Sequence, residues 1–202
     1  MIYILKYTYV LCYHKLCIFL IGLWANWTLR HTPHRVSYSR LIFHDWVKFL
    51  PAEFFPYARK FCLPVGAITS EEWQAAYRHH YTRMDHHAEY HFDEIQKCIR
   101  EMPHEAVVEL AVDWLAAEVS YGGRWPGPHW VWLKDLPSSR RYHPSTLALL
   151  CAVWDGLGFP GPLTASGGKG LVRRGQGMFW VNAVGAVTVY AIAPLMLLCI
   201  MM

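Results

Sequence analysis

Residues 106–117 read AVVELAVDWLAA, a stretch that is apolar nearly all round except for Glu109 and Asp113. Val107, Leu110, Ala111, Trp114 and Leu115 recur at intervals of three and four, the spacing of a helix rather than of a strand. A helix with so little polar surface belongs inside a core. Its two carboxylates, four residues apart, then fall on one side of a buried element, and a carboxylate removed from water needs a partner, for which a metal ion is well suited.

Outward from this segment the same periodicity persists and the Val-Thr alternation of strands is missing. Helices are expected over about 3–27, 36–49, 51–61, 70–82, 86–100, 103–121 and 144–157. Pro51, Pro64, Pro103 and Pro144 punctuate them, and Thr69-Ser70-Glu71-Glu72 has the form of a capped helix start. Pro126-Gly127-Pro128 marks a loop ahead of HWVWL, whose aromatics read as a packed lid or a membrane-interface belt. No internal repeat is present. The expected fold class is all-α.

The residues able to hold a metal follow the helices in order: His14, the doublet His44-Asp45, His79-His80, His86-His87, then Asp113. On a helix His44 and Asp45 stand about 100° apart, with Lys48 one turn further on, so two ligands and a cation share one region. His80 and His87 are two turns apart if their helix is continuous, and His79 and His86 form the competing pair. His104, His129 and His143 lie beside turns and prolines and read as structural.

The composition excludes several classes. With 202 residues, 54% hydrophobic, 17% charged and a net charge of +4, one greasy domain is expected and nucleic acid is not. The six cysteines are scattered without a CxxC pair, which suits a reducing compartment and neither a disulfide framework nor a cysteine zinc site. Residues 178–202 carry no charge over 25 positions, long enough to cross a bilayer, and follow a Gly-rich basic linker at 161–177 with Lys169, Arg173 and Arg174. The chain thus reads as a helical metal-binding domain over 1–160, tail-anchored in a membrane by 178–202 with the domain on the cytosolic side. The apolar N-terminal stretch, interrupted by Lys6, His14 and Lys15, reads as a core helix with His14 turned inward.

The succession His, His-Asp, His, His, Asp in a helical domain resembles the HD superfamily of metal-dependent phosphohydrolases, and HDWVK looks like the His-Asp-x-x-Lys variant of its signature. More closely, CYHKLCIF, RLIFHDWVKFLPAEFFPYARKF, AAYRHHYTRMDHHAEYH and MPHEAVVELAVDWLAA resemble the blocks of an uncharacterised domain-of-unknown-function family, which read HK, HD-x-SKF-x-P-x-EF, HH-x-x-RN-x-HH-x-E-Y-W and E-x-x-x-D. The match spans residues 9 to about 135, with Phe49, Pro51, Glu53, Phe54, Arg83, Glu89 and Tyr90 in register. Val47, Met84 and His91 stand where that pattern has serine, asparagine and tryptophan.

The resemblance implies an HD-like helical bundle in which His14, His44, Asp45 and Asp113 hold one divalent ion and Asp45 bridges to a second held by His80 and His87. The ions would be iron, manganese, zinc or magnesium, one or two in number. It implies hydrolysis of a nucleotide or other small phosphate ester by metal-activated water, with Lys48 on a phosphate oxygen, Arg83 at the leaving group and Glu109 orienting a ligand histidine. Glu53 is a candidate for proton transfer, and capping after Pro51 explains it equally well. Two other functions fit the same residues: a di-iron oxygenase, and an inactive HD-like subunit of a membrane complex.

Overall fold

The computed structural model describes residues 2–136 and 142–161. Among them seven helices, two 3-10 turns and one short ribbon are formed: α1 (Ile2–Thr28), α2 (Tyr38–Phe43), a 3-10 turn (Trp46–Phe49), α3 (Pro51–Cys62), α4 (Ser70–Tyr81), a 3-10 turn (Ala88–His91), β1 (Phe92–Asp93) antiparallel to β2 (Cys98–Ile99), α5 (His104–Gly122), α6 (Trp130–Leu133) and α7 (Pro144–Gly156). The protein is therefore all-α apart from four strand residues. The proposed linker and tail anchor lie outside the described residues from 162 onward.

Helix α5 is the axis. It is buried on most sides, as its apolar circumference requires, and packs chiefly against α1 and α7. Ile18, Leu29, Leu115, Leu150 and Trp154 are almost wholly removed from water in this core. The aromatics of 125–132 join it: Trp130 meets Trp154 edge-on, and Trp125 packs near Phe159. They are core packing rather than an exposed belt. A second, smaller cluster of Tyr7, Leu11, Tyr57, Ala58 and Ala76 joins α1 to α3 and α4. Gly22 lets α2 approach α1, since a Cβ there would overlap the Leu41 side chain.

Helix α4 begins at the capping box read from the sequence: Glu72 N–H donates to Thr69 Oγ1, and Thr69 N–H donates to the Glu72 carboxylate. Two expected helices are corrected. The segment 36–49 breaks at His44-Asp45, where Asp45 adopts φ 52° and ψ 25°, the left-handed region. That conformation is costly for most side chains and tolerated by Asp. Nor is 86–100 a helix, because α4 stops at Tyr81 and the chain turns through Ala88–His91 into the ribbon. With seven His, Asp and Arg residues among the ten of 78–87, the segment has no apolar stripe to hold a helix against the core.

Helix α1 is long and apolar enough to cross a membrane, though 44% of its most apolar window is buried inside the fold. The one such helix among the described residues is thus N-terminal rather than C-terminal. It packs on α5 and α3 and carries His14 inward with 1% exposure, as its sequence suggested.

Candidate metal centre

The break at His44-Asp45 gathers the ligands. A continuous helix would have fanned the two side chains apart, whereas the left-handed turn points both into the interior, each 1% exposed. Lys15 of α1 holds the break in place by donating to the carbonyls of Ile42 and His44, which have lost their helical partners.

Two sets of donors meet at Asp45. On one side, ligand atoms of Asp45, His80, His86 and His87 all lie within 4.8 Å of one another. Asp45 Oδ1 is 3.2 Å from His80 Nε2 and 3.5 Å from His86 Nε2, and His80 Nε2 is 2.9 Å from His87 Nε2. On the other side His14, His44 and Asp113 form a group of the same tightness. Asp113 Oδ1 lies 3.1 Å from His14 Nε2 and 3.5 Å from His44 Nε2, which itself lies 3.3 Å from Asp45 Oδ2. Lys48 pairs with Asp45 Oδ2 as well. Helices α1, α4 and α5 and the broken α2 segment thus contribute to one buried cluster.

Carboxylates behind the histidines fix which nitrogen faces inward. Glu109 Oε1 accepts from His44 Nδ1 at 2.9 Å, and Glu53 Oε2 accepts from His80 Nδ1 at 2.9 Å. A proton held on Nδ1 leaves the Nε2 lone pair free for a cation. Glu53 also takes His79 Nδ1 at 2.6 Å, so His79 is tied to this supporting carboxylate instead of joining the cluster. Arg40 braces the far side by donating to Glu109 Oε2 at 2.6 Å and pairing with Asp85.

The electrostatics describe a place prepared for positive charge. Burial alone would lower the His44 pKa, yet Asp45, Asp113 and Glu109 hold it well above the ordinary imidazole value. Burial would raise Asp45, but His44, Lys48 and His80 hold it well below the usual carboxylate range. Asp113 is likewise depressed against burial by its bonds to His14 and His44. His87 moves the other way, lowered by burial and by the neighbouring His86 and His80. Despite this crowding, His44 Nε2, Asp45 Oδ1 and both nitrogens of His86 are buried with no hydrogen-bond partner. Buried polar atoms are normally satisfied, so four such atoms in one cluster fit an ion coordinated there. Mixed imidazole and carboxylate donors suit zinc, manganese or iron.

The structure brings together His14, His44, Asp45, His80, His87 and Asp113, with Lys48 and Glu109 against them. It adds His86, so the choice between two histidine pairs is replaced by a turn that presents His80, His86 and His87 at once. Arg83 goes elsewhere: its guanidinium is exposed and donates to the His79 carbonyl at 3.1 Å. It lines an open cavity of about 660 Å³ along α4 with Arg78 and His79. Glu53 is wholly buried, which removes the surface-capping explanation. Its position beside the HD block was the available signal for its role, and Arg40, one turn before His44, offered a similar one.

Fold and site together define a helical domain enclosing a histidine–carboxylate cluster. Residues 4–155 match the model of a family of unknown function (DUF5662), and the chain belongs to that family. Neither the curated proteins nor the solved structures provide a match.

Proposed function

We propose that the protein is a metal-dependent phosphohydrolase with an HD-like centre acting on a small phosphate ester. The observation that carries this reading is the set of buried, unbonded acceptors, His44 Nε2, Asp45 Oδ1 and His86 Nε2, at the point where two histidine groups meet. His14, His44, Asp45 and Asp113 would hold one ion and Asp45, His80, His86 and His87 a second, with the two oxygens of Asp45 facing the two groups. Such ions supply Lewis acidity and ionise water near neutral pH.

The protein residues do the remaining work. Glu109 and Glu53 hold His44 and His80 in the tautomer that faces the cluster. Lys48, partly accessible and paired with Asp45, would receive a phosphoryl oxygen. The surrounding apolar shell excludes bulk water and strengthens these charge interactions. Leaving-group neutralisation by Arg83 forms no part of the proposal, since that side chain points to solvent. The uncharged segment 178–202 supports a membrane tether, which resistance of the full chain to alkaline extraction from membranes tests.

The centre itself is tested by measuring metal in the purified full chain by mass spectrometry beside Asp45→Ala and Asp113→Ala, with hydrolysis of p-nitrophenyl phosphate followed in parallel. One or two equivalents in the parent, lost in both variants together with hydrolysis, is the expected result. Tightly held iron that cycles with dioxygen, without phosphatase activity, would replace this reading by an oxygenase. A folded parent that takes up no metal would overturn both and leave an interaction protein.

A further inference from the structure

Three phenols lie in the neighbourhood of Lys48, each from a different helix: Tyr7 of α1, Tyr57 of α3 and Tyr121 of α5. Lys48 Nζ lies 5.6 Å from the centre of the Tyr57 ring, and that ring sits 6.0 Å from the ring of His80. Tyr121 stacks on His14 at 5.1 Å. All three phenols lie within electrostatic reach of both Lys48 and Asp45, and Tyr7 within reach of the other two. The phenols thus flank both halves of the cluster.

Their hydroxyls are unused. Tyr7 and Tyr57 are 4% and 6% exposed, and their hydroxyls, unlike His44 Nε2 and Asp45 Oδ1, keep an opening to solvent rather than a partner in the described residues. Tyr121 leaves 60% of its surface open to solvent. Hydroxyls without protein partners beside the partly accessible Lys48 ammonium are donors available to a ligand. Phenol and ammonium groups donate, and the acceptors at hand, Asp45 and Asp113, are already engaged by histidines and Lys48.

We propose that Tyr7, Tyr57, Tyr121 and Lys48 form the binding pocket for the phosphoryl group of the substrate, the three hydroxyls and the ammonium donating to its non-bridging oxygens. The position of the pocket rests on the metal-centre reading, while its donor set is independent of it. Donors arriving from three helices and one 3-10 turn suit a tetrahedral group with several equivalent oxygens better than a planar carboxylate. Neutral phenols also explain how the site manages without Arg83: they complete the oxygen contacts without adding charge beside Lys48.

The test is equilibrium dialysis of the full chain against radiolabelled inorganic phosphate, as purified and after EDTA treatment, for the parent, Tyr57→Phe and Tyr121→Phe. Phenylalanine keeps the rings and their packing, and near-UV circular dichroism verifies the fold. A hydrogen bond to a charged group is worth enough that each substitution should weaken phosphate binding about tenfold, with metal content unchanged and acetate failing to compete. Phosphate binding unaltered in both variants, absent from the parent, or displaced equally by acetate would overturn the proposal. Tyrosine-dependent phosphate binding by a protein that holds no metal would sustain the pocket and refute the metal centre. Metal-dependent hydrolysis indifferent to the tyrosines would do the reverse.

Discussion

Around α5 the protein is held as a helical bundle ordinarily is, whereas around α3 and α4 a small aromatic cluster is joined by buried polar groups. The α1, α5 and α7 side buries Ile18, Leu29, Leu115, Leu150 and Trp154, each contributing on the order of 1.5–3 kcal/mol by leaving water. The α3 and α4 side has Tyr7, Leu11, Tyr57, Ala58 and Ala76, two of them alanines with little area to bury. Beside the packing of Trp73 on Tyr57 and Phe61, what joins α4 to the rest is the Glu53 carboxylate shared by His79 and His80, and the contact of His80 with Asp45. The surface pair Arg59–Glu72 adds little, since exposed ion pairs contribute about 0–1 kcal/mol. One half can therefore stand without ligand, while the other depends on how well its buried charges are matched.

The strongest challenge to this contrast is to damage each half in turn. Trp154→Ala removes a fully buried ring that packs against Trp114, Trp130 and Phe159, and should lower the unfolding free energy by about 3–5 kcal/mol in urea denaturation. Its effect should appear as a single transition involving every helix. Glu53→Ala strips two histidines of their shared acceptor and should cost about 2–3 kcal/mol. Here hydrogen exchange should show protection lost from α3 and α4 while α1, α5 and α7 keep theirs. Glu53→Gln retains an acceptor, so metal affinity should fall roughly 10–100-fold with the fold intact. Uniform loss of protection in Glu53→Ala would show that the two halves are one cooperative unit.

The divided character of the molecule was only half legible in its sequence. The bundle was readable because AVVELAVDWLAA and the apolar N-terminal stretch carry helical spacing over many residues, and such patterns survive any tertiary detail. The capping box at Thr69 and Glu72 was readable because its mechanism is local. The site ligands were visible as residue types, but their arrangement depends on two places where the chain leaves the helix. At Asp45 the left-handed turn is imposed by what surrounds it: the carbonyls seized by Lys15 and the cations around the carboxylate. Past Tyr81 the residues read as a new helix over 86–100, and the turn that brings three histidines together has no marker beyond its density of charge. Glu53 was misplaced for a related reason, since burial of a glutamate is decided by partners distant in sequence. The arginines exchanged significance similarly: Arg40 reaches Glu109, 69 residues away, while Arg83 faces water.

Acidity offers a smaller but sharper probe of the polar half. In the metal-free protein His14 is lowered by burial and His87 by burial and its histidine neighbours, so these two resist protonation in the fold. Their contribution is present above the unfolded value of about 6.5 and is lost as pH falls. His44 and His80 are raised by Asp45 and its fellow carboxylates against the lowering effect of burial. They retain a proton the unfolded chain has released, so their contribution is full below about 6.5 and is lost as pH rises through their folded values. The stability of the EDTA-treated protein should accordingly peak near pH 6.5 and fall by about 1 kcal/mol within a unit or so on either side. Urea midpoints across pH 5–8 measure this, and a flat profile would mean that the histidines do not carry the coupling of the two halves.

The smallest change separates α4 as a helix from α4 as a bearer of ligands. Thr69→Ala deletes the hydroxyl that accepts from Glu72 N–H and should cost about 1 kcal/mol. His80 lies at the opposite end of α4, held from outside by Glu53 and Asp45 rather than by the first turn. Fraying should then be confined to the amides of the first turn, residues 70–73, with metal content as in the parent. If removing the cap lowers metal content as much as Glu53→Gln does, α4 transmits its order from end to end and its local propensity, more than the polar cluster, positions His80.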